Sequence, residues 1–156
     1  MCGIFGLISK NTELPVGKII REGLEKLEYR GYDSAGIALV NNDEIEIKKN
    51  EGRIADINKN GWLDSINGTF GVGHTRWATH GVPNEKNSHP HVDCKNKIAV
   101  VHNGIIENFQ ELRKALANRG HNLISETDSE VIPHLIEEYI DKGFNLKLFF
   151  RLGCPF

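Results

Sequence analysis

The sequence predicts a single layered domain that combines helices and strands, of the α+β or α/β class. The chain has 156 residues, and one domain typically accounts for about 150. Its predicted elements follow the order strand, helix, several strands, helix and helix, which suits neither an all-helical nor an all-strand fold. The apolar fraction of 39%, with 16 glycines in addition, is close to the globular average, so we expect a buried core.

The first half of the chain alternates short apolar runs with one strongly periodic segment. An apolar run of strand length bounded by turn residues predicts a buried strand, and apolar residues spaced three or four apart predict a helix. The predicted elements are a strand at 2–8, a helix that begins at Pro15 and ends before Gly31, a strand at 35–40 joined by a turn at 41–43 to a half-exposed strand at 44–49, a weak helix at 53–66 and a strand at 70–75.

The second half begins with a polar loop over about residues 76–96, and loops of this length are usually functional or disordered. A strand at 97–102 and a helix at 105–119 follow. A last helix is predicted up to Gly143, and its start is ambiguous. Thr127 and Glu130 have the spacing of a capping box, whereas Pro133 favours a start near Val131.

Composition excludes several classes of protein. Lys and Arg total 19 and Asp and Glu total 21, which gives a net charge of −2. Without a basic field, we expect no nucleic-acid partner. No apolar run approaches the ~20 residues of a membrane helix, so we expect no membrane partner either. The sequence does not indicate an oligomeric state.

The three cysteines are scattered and include no CxxC pair, which argues against a zinc or redox motif. The apolar stretch at Ile4–Ile8 lacks a basic leader, so it does not resemble a secretory signal. These features predict a cytoplasmic location. Cys94 lies in the polar loop and is interpreted as a spectator thiol.

Cys2 can become the N-terminal residue if Met1 is removed. Its α-amine has an ordinary pKa near 8 and could then take the thiol proton, as in N-terminal nucleophile enzymes. The alternative is an ordinary small residue near the start of the chain. Position alone favours that alternative, so the other candidate residues must decide.

Four further residues carry groups that such a nucleophile needs. Asn103 and Gly104 follow a predicted strand, where their N–H groups could bind an oxyanion, although a plain turn is the commoner role. Arg76 directly follows a strand and could hold a substrate carboxylate or simply face solvent. Asp128 precedes a helix and could bind a substrate ammonium or complement the helix dipole.

Five histidines crowd one region and suggest a metal site as a competing interpretation. They are His74, His80, His89, His91 and His102. No HExxH spacing occurs, and alternation along an extended chain places the rings at 89 and 91 on opposite sides. We therefore expect loop-organising hydrogen bonds and no metal. The chain also lacks the GxxxxGK phosphate loop, and we expect no cofactor.

Six ordered motifs together resemble the class II, or N-terminal nucleophile, glutamine amidotransferases. They begin with Cys-Gly-Ile-Phe-Gly at 2–6, and the others are Tyr-Arg-Gly-Tyr-Asp-Ser-Ala-Gly at 29–36, His-Thr-Arg-Trp-Ala-Thr-His-Gly at 74–81, Ser-His-Pro-His at 88–91, His-Asn-Gly-Ile-Ile-Glu-Asn at 102–108 and Ser-Glu-Thr-Asp-Ser-Glu at 125–130. Within the class, they are most similar to the glutaminase domain of the glutamine–fructose-6-phosphate aminotransferase branch.

The resemblance implies a role for each matched position. Cys2 would attack the side-chain amide of L-glutamine, with Asn103 and Gly104 as the oxyanion hole. The implied substrate-binding residues are Arg76, Trp77, Thr79, His80 and Asp128. Among these, the resemblance gives the glutamine α-carboxylate to Arg76 and its α-ammonium to Asp128. It places Trp77 and His80 in a mobile loop that closes over glutamine.

The resemblance also implies a four-layer αββα sandwich and one glutaminase domain over 2–156. That domain normally exceeds 200 residues, so the chain is expected to be a partial domain, with residues 145–156 as an atypical tail. Fructose 6-phosphate would bind only to sugar isomerase domains that this chain lacks. Two alternatives stay open: an inactive remnant of the enzyme, and a metal-binding module built on the histidines.

Overall fold

The computed structural model describes residues 2–144, which form six strands, four α-helices and two short 3-10 turns at Glu28–Arg30 and Lys59–Gly61. The strands are β1 (Gly3–Ile8), β2 (Ser34–Asn41), β3 (Glu44–Glu51), β4 (Phe70–Arg76), β5 (His91–Val92) and β6 (Ala99–Val100). The helices are α1 (Val16–Glu25), α2 (Ile54–Ile57), α3 (Phe109–Asn118) and α4 (Val131–Asp141). None of the helices within 2–144 has the length and apolar character required to cross a membrane.

Strands β1–β4 form an antiparallel sheet in the order β1-β4-β2-β3. The β2–β3 hairpin turns at Asn42 and Asp43, whose φ angles are 49° and 64°. Positive φ at both central residues is typical of the tight hairpin turn that Asn and Asp tolerate. In the centre of the sheet, Thr75 of β4 lies opposite both Gly3 of β1 and Ala35 of β2.

Helix α1 covers one face of this sheet and forms the main core with it. The contact is close because glycines lie at the crossing: a Cβ on Gly73 would be 2.6 Å from Ile20 Cγ2, and one on Gly23 would be 2.5 Å from Phe5 Cδ2. The buried side chains of this core are Val16, Ile20, Leu24, Ala35, Ile37, Leu39, Ile54, Ile57, Leu63 and Ile66.

The opposite face of the sheet is covered at one end by the segment that leads into β5. The backbone of His89 lies directly over Gly36, where a Cβ would be 2.3 Å from the His89 carbonyl oxygen. Lys49 of β3 donates hydrogen bonds to the carbonyl oxygens of Ser88 (2.7 Å) and Pro90 (2.9 Å). Burial lowers the Lys49 pKa to about 8. At the other end, Ile8 and Phe70 remain exposed on this face.

Helices α3 and α4 form a second, smaller core that consists of Leu116, Val131 and Leu135. Gly120 ends the α3 segment with a φ of 94°, the left-handed conformation expected of a residue just after a helix. Helix α4 begins at Val131, so Pro133 occupies its first turn, where it removes no helical hydrogen bond.

Several predicted boundaries are wrong, because side chains satisfy backbone groups that a regular element would have used. The strand predicted at 97–102 is paired only at Ala99–Val100, since Asp93 Oδ1 accepts the N–H groups of Lys97 and Ile98. The helix predicted from residue 105 begins at Phe109, since Asp128 Oδ2 accepts the Ile106 N–H at 2.8 Å.

The predicted capping box is also wrong. The Glu130 carboxylate accepts the N–H groups of Ile124 (2.7 Å) and Ser125 (2.9 Å) instead of capping α4. The Thr127 hydroxyl bonds with His91 Nε2 at 2.9 Å. The weak helix predicted at 53–66 is helical only at Ile54–Ile57 and in one 3-10 turn, and the predicted tail at 145–156 lies outside the described residues.

Gly17→Ala tests how tightly α1 is seated. Helix propensity alone would favour alanine by about 1 kcal/mol. The added Cβ would, however, lie 2.4 Å from the Ile66 carbonyl oxygen. We expect a net loss of about 1–3 kcal/mol in the free energy of unfolding, measured by urea denaturation.

Gly6→Ala is the matched control. The added Cβ would lie 3.7 Å from its nearest neighbours, the Gly71 carbonyl oxygen and Val72 Cγ1, which is an ordinary van der Waals contact. Its effect should stay within about 0.5 kcal/mol. A Gly17→Ala variant as stable as the parent would contradict the packing described for α1.

Candidate active site

A cavity of about 410 Å³ opens where β4 ends beside the start of β1. Every predicted site residue except His80 lines it. The lining residues are Cys2, Arg30, Arg76, Trp77, Thr79, His89, His102, Asn103, Gly104, Ile105, Thr127, Asp128 and Ser129. Residues from all six motifs therefore meet at one place.

The Cys2 side chain lies at the mouth of this cavity. The backbone N–H of Trp77 donates to Cys2 Sγ at 3.2 Å. The carbonyl oxygen of Cys2 accepts hydrogen bonds from Asn103 Nδ2 at 3.0 Å and from Arg30 Nε at 3.3 Å. The backbone of Cys2 is therefore fixed from two sides, and its sulfur faces the cavity beside a backbone donor.

The orientation of the Asn103 amide is set by His74. His74 Nε2 lies 2.9 Å from Asn103 Oδ1. Because a carbonyl oxygen can only accept, the imidazole donates from Nε2 and the amide nitrogen is directed toward Cys2. This is the orientation that an oxyanion-binding Asn103 requires.

Two glycines allow the backbone to close around the cavity. A Cβ on Gly104 would be 2.7 Å from Nε2 of His102, whose Nδ1 bonds with Ser129 Oγ at 3.0 Å. A Cβ on Gly31 would be 2.7 Å from the Arg76 carbonyl oxygen and 2.8 Å from the Trp77 nitrogen. A side chain at Gly31 would therefore displace the donor that contacts Cys2 Sγ.

The Arg76 guanidinium is 3% exposed and only partly satisfied. Its Nη2 donates to the carbonyl oxygens of His80 and of Gly81, the latter at 3.2 Å. Among the described residues, Nη1 has no hydrogen-bond partner. Burial lowers the pKa of this guanidinium, although an arginine remains charged at neutral pH. An unpaired, charged donor in a cavity is a site for an anion.

Asp128 supplies the opposite charge and is 4% exposed. Its Oδ2 accepts the Ile106 N–H, and its Oδ1 accepts a long hydrogen bond from Ser129 Oγ at 3.4 Å. His80 Nδ1 lies 4.0 Å from the same Oδ1. Asp128 Oδ1 is thus available to a cation in the cavity. His80 lies next to Asp128 and does not line the cavity.

The segment after β4 is attached to the sheet through Asp33. Asp33 Oδ2 accepts the N–H of Ala78, and its Oδ1 accepts from Ser34 Oγ at 3.1 Å. Trp77 is half exposed and meets Tyr32 edge-on, with 5.6 Å between ring centroids. Trp77 therefore lines the cavity with its ring supported by Tyr32.

His74, His89 and His91 form a buried stack beside the cavity. Ring centroids are 4.3 Å apart for His74 and His89 and 4.4 Å apart for His89 and His91. The prediction that the rings at 89 and 91 point to opposite sides is wrong, because the two rings pack edge to face in the structure. Burial lowers the pKa of His74 to about 4 and lowers those of the other two well below 6.5.

Four further residues position the site and were not among the predicted site residues: Arg30, Asp33, His74 and His102. In the structure these residues hold Cys2, the Trp77–Ala78 backbone, Asn103 and the surroundings of Gly104, respectively. Only loop-organising hydrogen bonds were expected of the two histidines. The signal that could have found all four is their position inside the six motifs.

Comparison with known proteins now identifies the class. Residues 53–146 match the family described as the glutamine amidotransferase domain. This match covers more than half of the chain, and the chain therefore belongs to that family.

Curated relatives of one kind match most of this chain. The chain is 54% identical over 146 residues to the glutamine–fructose-6-phosphate aminotransferase (isomerizing) of Pyrobaculum aerophilum, 53% over 153 residues to that of Pyrococcus horikoshii and 56% over 140 residues to that of Thermotoga maritima. These matches cover 93%, 98% and 88% of this chain. They cover 24%, 25% and 22% of the relatives, so the chain spans about a quarter of their length.

Solved structures confirm the fold class. Glutamine phosphoribosylpyrophosphate amidotransferase from B. subtilis, complexed with ADP and GMP, superposes with a TM-score of 0.67 at 29% identity. It covers 87% of this chain and 28% of its own. The structure of the allosteric regulatory enzyme of purine biosynthesis superposes with a TM-score of 0.73 at 30% identity. This match covers 88% of this chain and 29% of the chain in that structure. The predicted α+β fold of N-terminal nucleophile amidotransferases is confirmed.

The histidine stack predicts a loss of stability in mild acid. Unfolded histidines bind protons below about pH 6.5, whereas folded His74 does so only near pH 4, and burial holds the pKa values of His89 and His91 well below 6.5. Their contribution is therefore fully present above pH 6.5 and is lost as the pH falls toward 4, by up to about 1.4 kcal/mol per pH unit for each group. Urea denaturation at pH 7, 6 and 5 measures this slope.

His91→Gln keeps a polar group near Thr127 and removes one titrating ring. We expect its free energy of unfolding to fall less steeply with pH than that of the parent chain. Parallel slopes for the two proteins would show that His91 is not held neutral by burial.

Proposed function

We propose that this chain is the glutaminase portion of a glutamine–fructose-6-phosphate aminotransferase and that it hydrolyses the side-chain amide of L-glutamine to glutamate and ammonia. One observation carries the proposal: a single cavity holds the Cys2 sulfur, an unpaired nitrogen of Arg76 and the Asp128 carboxylate. These groups match a reacting amide, an α-carboxylate and an α-ammonium, which is the set of groups that glutamine carries.

Binding uses the two charged groups. Arg76 Nη1 donates to the glutamine α-carboxylate, and Asp128 Oδ1 accepts from the α-ammonium. Trp77, Thr79 and His80 complete the substrate site, with Trp77 on the exposed rim and His80 beside Asp128. Both charged groups are almost completely buried, so their interactions with substrate are weakly screened.

The chemistry uses Cys2 after removal of Met1. The free α-amine takes the thiol proton, and Sγ attacks the amide carbon of glutamine. Asn103 Nδ2 and the Gly104 N–H stabilise the resulting oxyanion. The protonated α-amine of Cys2 then gives its proton to the leaving nitrogen. The tetrahedral intermediate expels ammonia, and a thioester remains. Water, activated by the same amine, then releases glutamate and regenerates the thiol.

Use of the ammonia belongs to the part of the relatives that this chain does not match. In the proposed whole enzyme, ammonia converts fructose 6-phosphate to glucosamine 6-phosphate on sugar isomerase domains. The proposed location is the cytoplasm, in keeping with the scattered cysteines. The alternative of a metal-binding module at the five histidines has less support, because His74, His91 and His102 are engaged by Asn103, Thr127 and Ser129.

Covalent labelling tests the nucleophile. We expect an electrophilic glutamine analogue to modify Cys2 of the 156-residue chain, and intact mass should show that the labelled molecules have lost Met1. Cys2→Ala should abolish labelling without changing the urea midpoint, and peptide mapping of the labelled parent chain should find the label on Cys2 and not on Cys94. Labelling of molecules that retain Met1 would contradict the α-amine as base.

The same assay decides whether the chain is an active domain or an inactive remnant. A sample that unfolds cooperatively and is labelled supports the active domain. A cooperatively folded sample that leaves Cys2 unlabelled supports the remnant and overturns the proposed activity for this chain.

Substitutions in the cavity should separate binding from chemistry. Arg76→Lys and Asp128→Asn each remove one charged hydrogen bond of about 1.5–3 kcal/mol, so half-saturation should require roughly 10- to 100-fold more analogue. Asn103→Ala should instead slow labelling at saturation by roughly 10²- to 10³-fold.

Asp43→Asn, in the exposed β2–β3 turn, is the matched control and should leave both quantities unchanged. Equal small effects from the three cavity variants would remove the assigned roles.

A further inference from the structure

Four side chains that could bind a metal converge away from the Cys2 cavity. They are Cys94 of the turn between β5 and β6, His121 just after α3, and His134 and Glu137 on α4. One potential ligand atom from each lies within 4.8 Å of the others. None of the four residues lines the cavity around Cys2, so the proposed glutaminase reaction does not account for them.

The distances between these atoms match the edges of a tetrahedron around zinc. Bonds of about 2.0–2.1 Å to nitrogen or oxygen and 2.3 Å to sulfur place tetrahedral ligands roughly 3.3–3.6 Å apart. The Nδ1 atoms of His121 and His134 are 3.2 Å apart. Cys94 Sγ lies 3.6 Å from Nδ1 of His121 and 3.5 Å from Nδ1 of His134. Glu137 Oε2 lies 3.3 Å and 3.7 Å from the same two nitrogens.

The two buried members of the cluster call for a cation. Glu137 is 5% exposed and His134 is 1% exposed, whereas Cys94 is exposed and His121 is half-buried. Lys95 Nζ lies 3.6 Å from Glu137, but its side chain is exposed and bonds with Asp141. Buried charges in proteins are normally paired or coordinate metals. A thiolate and a carboxylate would together neutralise one divalent ion.

Neighbouring groups hold two of the four side chains, His121 and Glu137, in place. His121 Nε2 lies 3.3 Å from Glu138 Oε1, which is also bound by Arg119. A carboxylate on the far nitrogen is what orients a metal-binding histidine. The Cys94 N–H donates to Glu137 Oε2 at 3.2 Å.

We propose that Cys94, His121, His134 and Glu137 form a structural zinc site that joins the β5–β6 turn to the end of α3 and to α4. Two nitrogens, one sulfur and one oxygen suit zinc, a borderline-soft ion that accepts all three ligand types. All four positions are filled by the protein, which is the arrangement of a structural site and leaves no open position for substrate.

The alternative is a cluster held by hydrogen bonds alone. Hydrogen bonds among the two imidazoles and the Glu137 carboxylate could give similar distances without metal. Cysteine spacing could not distinguish the two, because the four positions are 94, 121, 134 and 137 and lack a familiar zinc pattern.

Metal content and cobalt spectroscopy of the untagged 156-residue chain test the proposal. We expect about one zinc per chain, and removal by a chelator should lower the unfolding temperature. Cobalt(II) loading should give an intense tetrahedral visible spectrum and a sulfur-to-cobalt charge-transfer band. Cys94→Ser should abolish that band. Glu138→Gln, which changes no ligand, should weaken zinc binding about 10- to 100-fold.

Two control variants separate ligation from folding. Lys95→Ala alters the same turn and Cys2→Ser removes another thiol, and both should keep one zinc and the charge-transfer band. A folded chain that contains no zinc and gives no cobalt spectrum would overturn the proposal, as would a charge-transfer band that persists in Cys94→Ser. Labelling of Cys2 by the glutamine analogue is scored separately, so failure of either proposal can be recognised without the other.

Discussion

The pairing of β1 with β4 is the constraint on which the active site depends. With Gly3 opposite Thr75, Cys2 is brought next to Arg76 and Trp77 at the end of the central strand. The register is specified because a slip of one residue would turn Phe5 and Leu7 away from α1. Gly31 then lets the chain before β2 approach the same strand end. A backbone register thereby determines which side chains share the cavity.

The covering of the sheet's second face shows how polar residues can be buried for positioning. Lys49 and the stacked histidines lie where an apolar layer would stabilise the fold more strongly, and burial shifts their pKa values toward the neutral forms. Neutral histidines donate and accept hydrogen bonds in fixed directions. His74 uses this property to fix the Asn103 amide. These polar residues stabilise the fold less than apolar ones would, but their hydrogen bonds orient the groups of the site.

The sequence predicted the sheet and α1 well, because these segments bury one apolar face and follow a regular period. Prediction failed at residues 97–98 and 105–108, where the carboxylates of Asp93 and Asp128 bind backbone N–H groups that a regular element would have used. The site residues were predictable from their motifs, although their roles remain proposals. The cluster around Cys94 was not, since its members meet only after α3 and α4 have packed.

The helical half of the chain has a small apolar core, so polar contacts determine how firmly it is held. Leu116, Val131 and Leu135 bury far less surface than the core beneath α1. The Glu130 carboxylate compensates by binding Ile124, Ser125 and Arg113 just before α4. Asp128 lies in this same segment, three residues before the helix that carries His134 and Glu137. A zinc ion at their side chains would therefore hold α4 rigid, and with it the carboxylate proposed to bind the ammonium of glutamine.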